Sequence, residues 1–95
     1  MNYKDIEIVI CAAVRASDGK VVRGHRHNDA MRTLQGMPAY REERPYGDNQ
    51  GFVTSRNRYV NRTEGCEIQK TAGIKSVMPE GEQYLGGELY SEDLY

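Results

Sequence analysis

Two short stretches concentrate the residue types that could do chemistry. Gly24 to Asp29 reads GHRHND and Gln50 to Gly65 reads QGFVTSRNRYVNRTEG, the second holding three arginines, two asparagines and two aromatics. Arginine presents five N–H donors in a planar fork and stays charged, so it suits a phosphate or carboxylate held from the side. Arg26, Arg58 and Arg62 fall beside predicted helix starts, where free backbone N–H groups also favour an anion. An aromatic ring at Phe52 or Tyr59 could stack on a base, and Asn57 or Asn61 could read its edge. Together these residues describe a small nucleotide pocket. Each also has a plainer role: Phe52 is the chain's only phenylalanine and suits the core, and Asn61 suits a helix cap.

Other chemistries are poorly served. His25-x-His27 could offer two metal ligands from one side of an extended segment, but no spacing marks a third. Cys11 falls in an apolar strand and Cys66 in a helix body, where a buried, inert thiol is the expectation. No phosphate-binding glycine loop occurs, and paired carboxylates fall only in loop and tail. No catalytic residue, metal or cofactor is therefore assigned.

The elements that must position these residues read as α+β: a small antiparallel sheet packed with two helices in a single domain spanning residues 1–95. IEIVICAAVR, Ile6 to Arg15, is β-branched and nearly continuously apolar, as a central strand covered on both faces would be. Asp18-Gly19 turns it into an antiparallel partner at Val21 to Arg23. Asn28 or Asp29 can cap a helix through Met31 and Leu34, with Gly36 placed for a left-handed stop. Met37 to Asn49 lacks periodicity and reads as a loop, long enough to suggest a lid or subunit contact. A strand over Phe52 to Ser55, a turn at Ser55-Arg56-Asn57 and a strand at Arg58 to Val60 follow. Asn61 and Glu64 form a capping pair for a helix that stops at Gly73. Ile74 to Met78 reads as a further strand. Residues 79–95 read as an acidic docking segment or edge strand, with Leu and Tyr recurring among carboxylates.

Charge and length set the outer bounds. Net charge is −1, but all nine arginines lie between Arg15 and Arg62, while Pro79 to Tyr95 carries five acids and no base. Nine arginines against four lysines favour planar anion recognition over simple solubilising charge. The absence of a strong net basic field argues against duplex nucleic acid. Two distant cysteines suggest a reducing compartment, and no apolar run approaches the ~18 residues of a membrane span. A 95-residue chain has a modest core, which favours burial against a second copy.

The stretches VICAAVRASDGKVVRGHRHNDAMRTL, QGFVTSRNRYVNRTEGCEIQKTAGI and ELYSEDLY together resemble the first Thoeris anti-defence family. Its members are small phage proteins that sequester a cyclic ADP-ribose signal made by bacterial TIR-domain enzymes. The resemblance covers about two thirds of the chain and is most specific from Gly51 to Arg62. It implies a sponge rather than an enzyme, working in the cytoplasm of the infected host. It also implies a homo-oligomer built from dimers, with pockets at protomer boundaries and, in some members, separate sites for cyclic oligonucleotides. Carried onto this chain, Phe52 would be the pocket's aromatic, Asn57 or Asn61 its asparagine and Arg26, Arg58 and Arg62 its charges; His25 and His27, flanking Arg26 at the first helix entry, complete the candidate ligand-binding set. The family also uses arginines nearer the C-terminus, and this chain has none beyond Arg62. Two other function classes stand beside the sponge: a small nucleotide hydrolase using His25 or His27 as acid-base, and a protein-binding module working through its acidic C-terminal segment.

Overall fold

The computed structural model describes residues 6–79 and 81–94. Glu80 and Tyr95, which the sequence assigns to the acidic docking segment, lie outside the described residues. Four strands, β1 (Val9–Arg15), β2 (Val21–Gly24), β3 (Gln50–Thr54) and β4 (Tyr59–Asn61), form one antiparallel sheet in the order β2-β1-β3-β4. Two helices, α1 (His27–Gln35) and α2 (Arg62–Thr71), each follow one of its hairpins. The chain is thus an α+β domain, as its sequence pattern predicts.

Strand register fixes which side chains share a face, because successive residues point to opposite sides. Gly24, Ala12, Phe52 and Val60 are cross-strand neighbours, and Val22 pairs with Val14 on the same face. That face meets the helices. Val9, Ala12, Phe52 and Val60 pack with Cys66 of α2 and with Leu89, while Val14 and Val22 pack with Ala30 and Leu34 of α1. A bulge between Val9 and Cys11 lets residues three apart face the same way and leaves Ile10 50% exposed. The other face carries Arg15, Arg23, Ala13, Cys11, Gly51, Val53, Tyr59 and Asn61, again by register. β1 is therefore central as expected. Its second face is sheltered by long polar side chains, with the Arg15 guanidinium 4.7 Å from the centre of the Tyr59 ring, rather than by a second layer.

Three local expectations change. The first helix is capped from Arg26: Asp29 is its third residue, and its Oδ2 accepts from the Arg26 backbone N–H at 3.1 Å. Gly36 caps α1 in a right-handed conformation at φ −73°, and the chain is extended at Met37 before a short 3-10 turn at Pro38–Tyr40; of the two helix stops, the left-handed one is at Gly73, φ 75°. Ile74 to Met78 is not a strand. The loop from Met37 to Asn49 is tied to the first hairpin, where Tyr40 donates to Asp18 Oδ2 at 2.7 Å and Glu43 Oε1 accepts from the Ser17 hydroxyl at 2.5 Å. Those bonds hold it as a brace on the β1–β2 turn.

The C-terminal segment docks on its own chain. Leu89 is fully buried in the core between sheet and α2, and its N–H donates to the Arg62 carbonyl at 2.9 Å. Asp93, 3% exposed, accepts from the Ser76 hydroxyl, from Tyr84 N–H at 3.2 Å and from Tyr90 N–H at 3.0 Å. A buried carboxyl group that accepts from several donors has its hydrogen-bonding capacity met, so this residue pins the segment where a strand ladder would otherwise be needed.

Candidate functional site

α1 does not start at the end of β2. His25 and Arg26 intervene, and this short joint carries His27 across to the second hairpin. There the His27 ring lies edge-on to Phe52 with centroids 5.1 Å apart, and its Nε2 meets the Gly51 carbonyl at 2.8 Å. A carbonyl can only accept, so Nε2 carries the proton and Nδ1 is bare when the ring is neutral. Burial holds the His27 pKa below its ordinary value; the nearby Arg62 cation acts in the same direction, while the Gly51 bond and the Glu92 carboxylate oppose it. The ring is therefore neutral near pH 7.

Gly51 is the fulcrum of this arrangement. A methyl group at its Cα would stand 2.1 Å from the Val60 carbonyl oxygen and 2.7 Å from the Tyr59 hydroxyl. Only glycine admits so close an approach of backbone and ring. Tyr59 is held across it by a 2.7 Å bond from its hydroxyl to the Asp48 carbonyl, and burial pushes its pKa up to about 12.

α2 begins directly where β4 ends, and Asn61 caps it: its Oδ1 accepts from Glu64 N–H at 2.8 Å, while Glu64 Oε1 accepts from Asn61 N–H at 2.9 Å. The first helical residue is Arg62. Its guanidinium donates to Gln50 Oε1 at 2.8 Å and lies 5.2 Å from the centre of the Tyr90 ring. Its Nε–H is buried with no hydrogen-bond partner. A donor left in that state costs free energy that an incoming acceptor would recover.

Arg26, His27 and Arg62 line one cleft of about 220 Å3, together with Asn28, Gln50, Tyr90, Ser91 and Glu92. Three of the eight sequence candidates thus meet. His25 is exposed and does not line this cleft. Phe52 is fully buried, with no ring face open to solvent, which is the core role weighed for it. Asn57 sits in the β3–β4 turn with φ 58°, accepting from Arg23. Arg58 belongs to another part of the surface: its guanidinium engages both oxygens of Glu7 at 2.7 Å. Asn61 serves the cap.

Gln50 and Tyr90 were missed. Gln50 looks in sequence like a strand-end polar residue, and nothing local links Tyr90 to Arg62 across 28 positions. The Leu/Tyr spacing of the C-terminal octet signals docking, but not what it docks against. For metals, no group of three or more His, Cys, Asp or Glu side chains is assembled among the described residues. Cys11 is half-buried and Cys66 buried, and desolvation raises both thiol pKa values, which disfavours the reactive thiolate.

No helix among the described residues is long and apolar enough to cross a membrane. No curated protein and no solved structure matches the chain. A family model described as the phage T4 y16D protein matches residues 8–95, from the approach to β1 through both hairpins, both helices and the C-terminal segment that closes the cleft. The chain belongs to the phage T4 y16D protein family.

Proposed function

We propose that this phage protein binds a cyclic ADP-ribose isomer and holds it without cleaving it, in the cytoplasm of the infected cell, so that a bacterial defence effector is not activated. The observation that carries the reading is the Arg62 guanidinium. It stands at a helix start, is backed by Gln50 and Tyr90, has a buried Nε–H without an acceptor, and lines the same cleft as Arg26. A diphosphate oxygen would complete it. Binding is favoured over hydrolysis because the His27 Nε2 proton is committed to the Gly51 carbonyl and so is not free to protonate a leaving group in the cleft. The cleft is open and holds only part of such a ligand, so a second protomer closing over it belongs to the proposal. The resemblance in the Gly51 to Arg62 stretch supplies the choice of ligand.

Calorimetry with purified cyclic ADP-ribose isomers, followed by heat denaturation and recovery of the ligand, tests both halves. Saturable binding and intact ligand are expected, and Arg62→Gln should weaken binding by ~tenfold or more, the loss of a charged hydrogen-bond donor. No heat from any isomer, or recovery of an opened product, overturns the reading.

A further inference from the structure

A second cleft of about 200 Å3 adjoins the first, and Tyr90 and Glu92 line both. Its chemistry is different. The first is lined by Arg26 and Arg62; the second, lined by Met78, Glu82, Tyr90, Glu92 and Asp93, presents an almost wholly apolar surface. Neither alone reaches the ~300 Å3 at which small-molecule sites usually begin, whereas the two together do. Tyr90 is fixed at its hydroxyl by Glu88 Oε2 at 2.9 Å and through its backbone N–H by Asp93, so it is a positioned ring rather than a loose one.

We propose that these clefts form one bipartite site for a nucleotide, with phosphate against Arg62 and the base against Met78 and Tyr90. The inference rests on the anion-binding reading of the first cleft and extends it. A thioether and a phenol ring offer the apolar, polarizable contact that a flat heterocycle prefers. No basic residue lines the second cleft, so the charged end of the ligand belongs in the first, against Arg62. Arg62 already lies near the Tyr90 ring, where its cation strengthens the ring as a stacking partner.

The test uses the 95-residue protein with three probes: inorganic pyrophosphate, adenosine and ADP-ribose, titrated by calorimetry against wild type, Met78→Ala and Arg62→Gln. Wild type should bind ADP-ribose about tenfold more tightly than pyrophosphate, and Met78→Ala should remove most of that gain while leaving pyrophosphate unchanged. Equal affinity of Met78→Ala and wild type for ADP-ribose, with pyrophosphate still bound, overturns the base subsite and leaves the anion cleft standing. Binding of adenosine that Met78→Ala abolishes, with no pyrophosphate binding and no effect of Arg62→Gln, removes the anion reading instead and retains the base subsite. Melting curves for each variant, matched to wild type within a few degrees, exclude misfolding as the cause.

Discussion

The first hairpin and helix, β1-β2-α1, and the second, β3-β4-α2, are two versions of one unit, and the cleft exists because they differ at one joint. Their turns share a hydrogen-bond pattern: Ala16 N–H to Lys20 O and Gly19 N–H to Ala16 O in the first, Thr54 N–H to Arg58 O and Asn57 N–H to Thr54 O in the second. Both place a left-handed residue at the same point, Gly19 at φ 94° and Asn57 at φ 58°. Both helices open with an acidic third residue reaching back to the residue before the helix. At the joint, β4 passes straight into α2, so Arg62 stays at the strand end and Asn61 is spent on the cap. In the first unit His25 and Arg26 intervene, and α1 starts displaced toward its neighbour, with His27 on the Gly51 carbonyl. A function can be built from a repeated unit by altering only the connection that must be irregular.

The largest way to break this comparison is at Gly51. Gly51→Ala should cost more than ~4 kcal/mol or prevent folding, since backbone must move, whereas Gly19→Ala, with open space around it, should cost only the ~1–2 kcal/mol of an unfavourable φ. Urea unfolding of the pair measures the gap; similar, small losses would show that the approach to Val60 and Tyr59 relaxes easily. Next come the two buried leucines. Leu34→Ala and Leu89→Ala should each cost ~2–5 kcal/mol, one in the core of each unit, although Leu89 comes from outside both hairpins. A neutral Leu89→Ala would mean that the C-terminal segment is an appendage and that the second unit packs without it.

The caps should differ by less. Asn61→Ala removes a side-chain acceptor at 2.8 Å and should cost ~1 kcal/mol, while Asp29→Ala should cost somewhat less, because no side-chain oxygen caps its helix from Arg26. Thermal melts of both variants rank the two starts. The smallest effect lies at Glu7, where the Arg58 hydrogen bonds lower the carboxyl pKa from 4.5 to about 2 despite opposing desolvation. A folded-state pKa below the unfolded one stabilises above the unfolded value, and that contribution is lost as pH falls through the folded one. Glu7→Gln should therefore melt below wild type near pH 7, with the difference shrinking from about pH 4.5 to about pH 2. A gap that persisted at pH 2 would assign the loss to packing rather than charge. His27, also lowered, works in the same direction in its own range: acidification through its unfolded pKa weakens the fold, because the unfolded ring takes up a proton that the buried ring resists.

Period-two apolar patterning, Asp18-Gly19 and the Asn61/Glu64 pair made both hairpins and the second helix start legible in the sequence, since each is decided by residues a few positions apart. The first helix start was harder, because its N-cap is an arginine and the carboxylate that secures it comes three residues later. Ile74 to Met78 misled, since β-branched residues suit a strand only where an edge is available to pair with. Of the candidate site, the sequence marked Arg26, His27 and Arg62 by residue type and by their place near helix starts. It could not separate them from Arg58, which tertiary structure gives to Glu7, or from Phe52, which the sheet register turns into the core. Nor could it bring Tyr90 to Arg62, because that contact depends on Leu89 and Asp93 seating the C-terminal segment. What the sequence determined by itself was local: turns, caps, the alternation of faces and the supply of arginine. The tertiary fold alone decided which arginines share a cleft, because that depends on strand register and on the length of one connection, and neither is encoded within any single window of the chain.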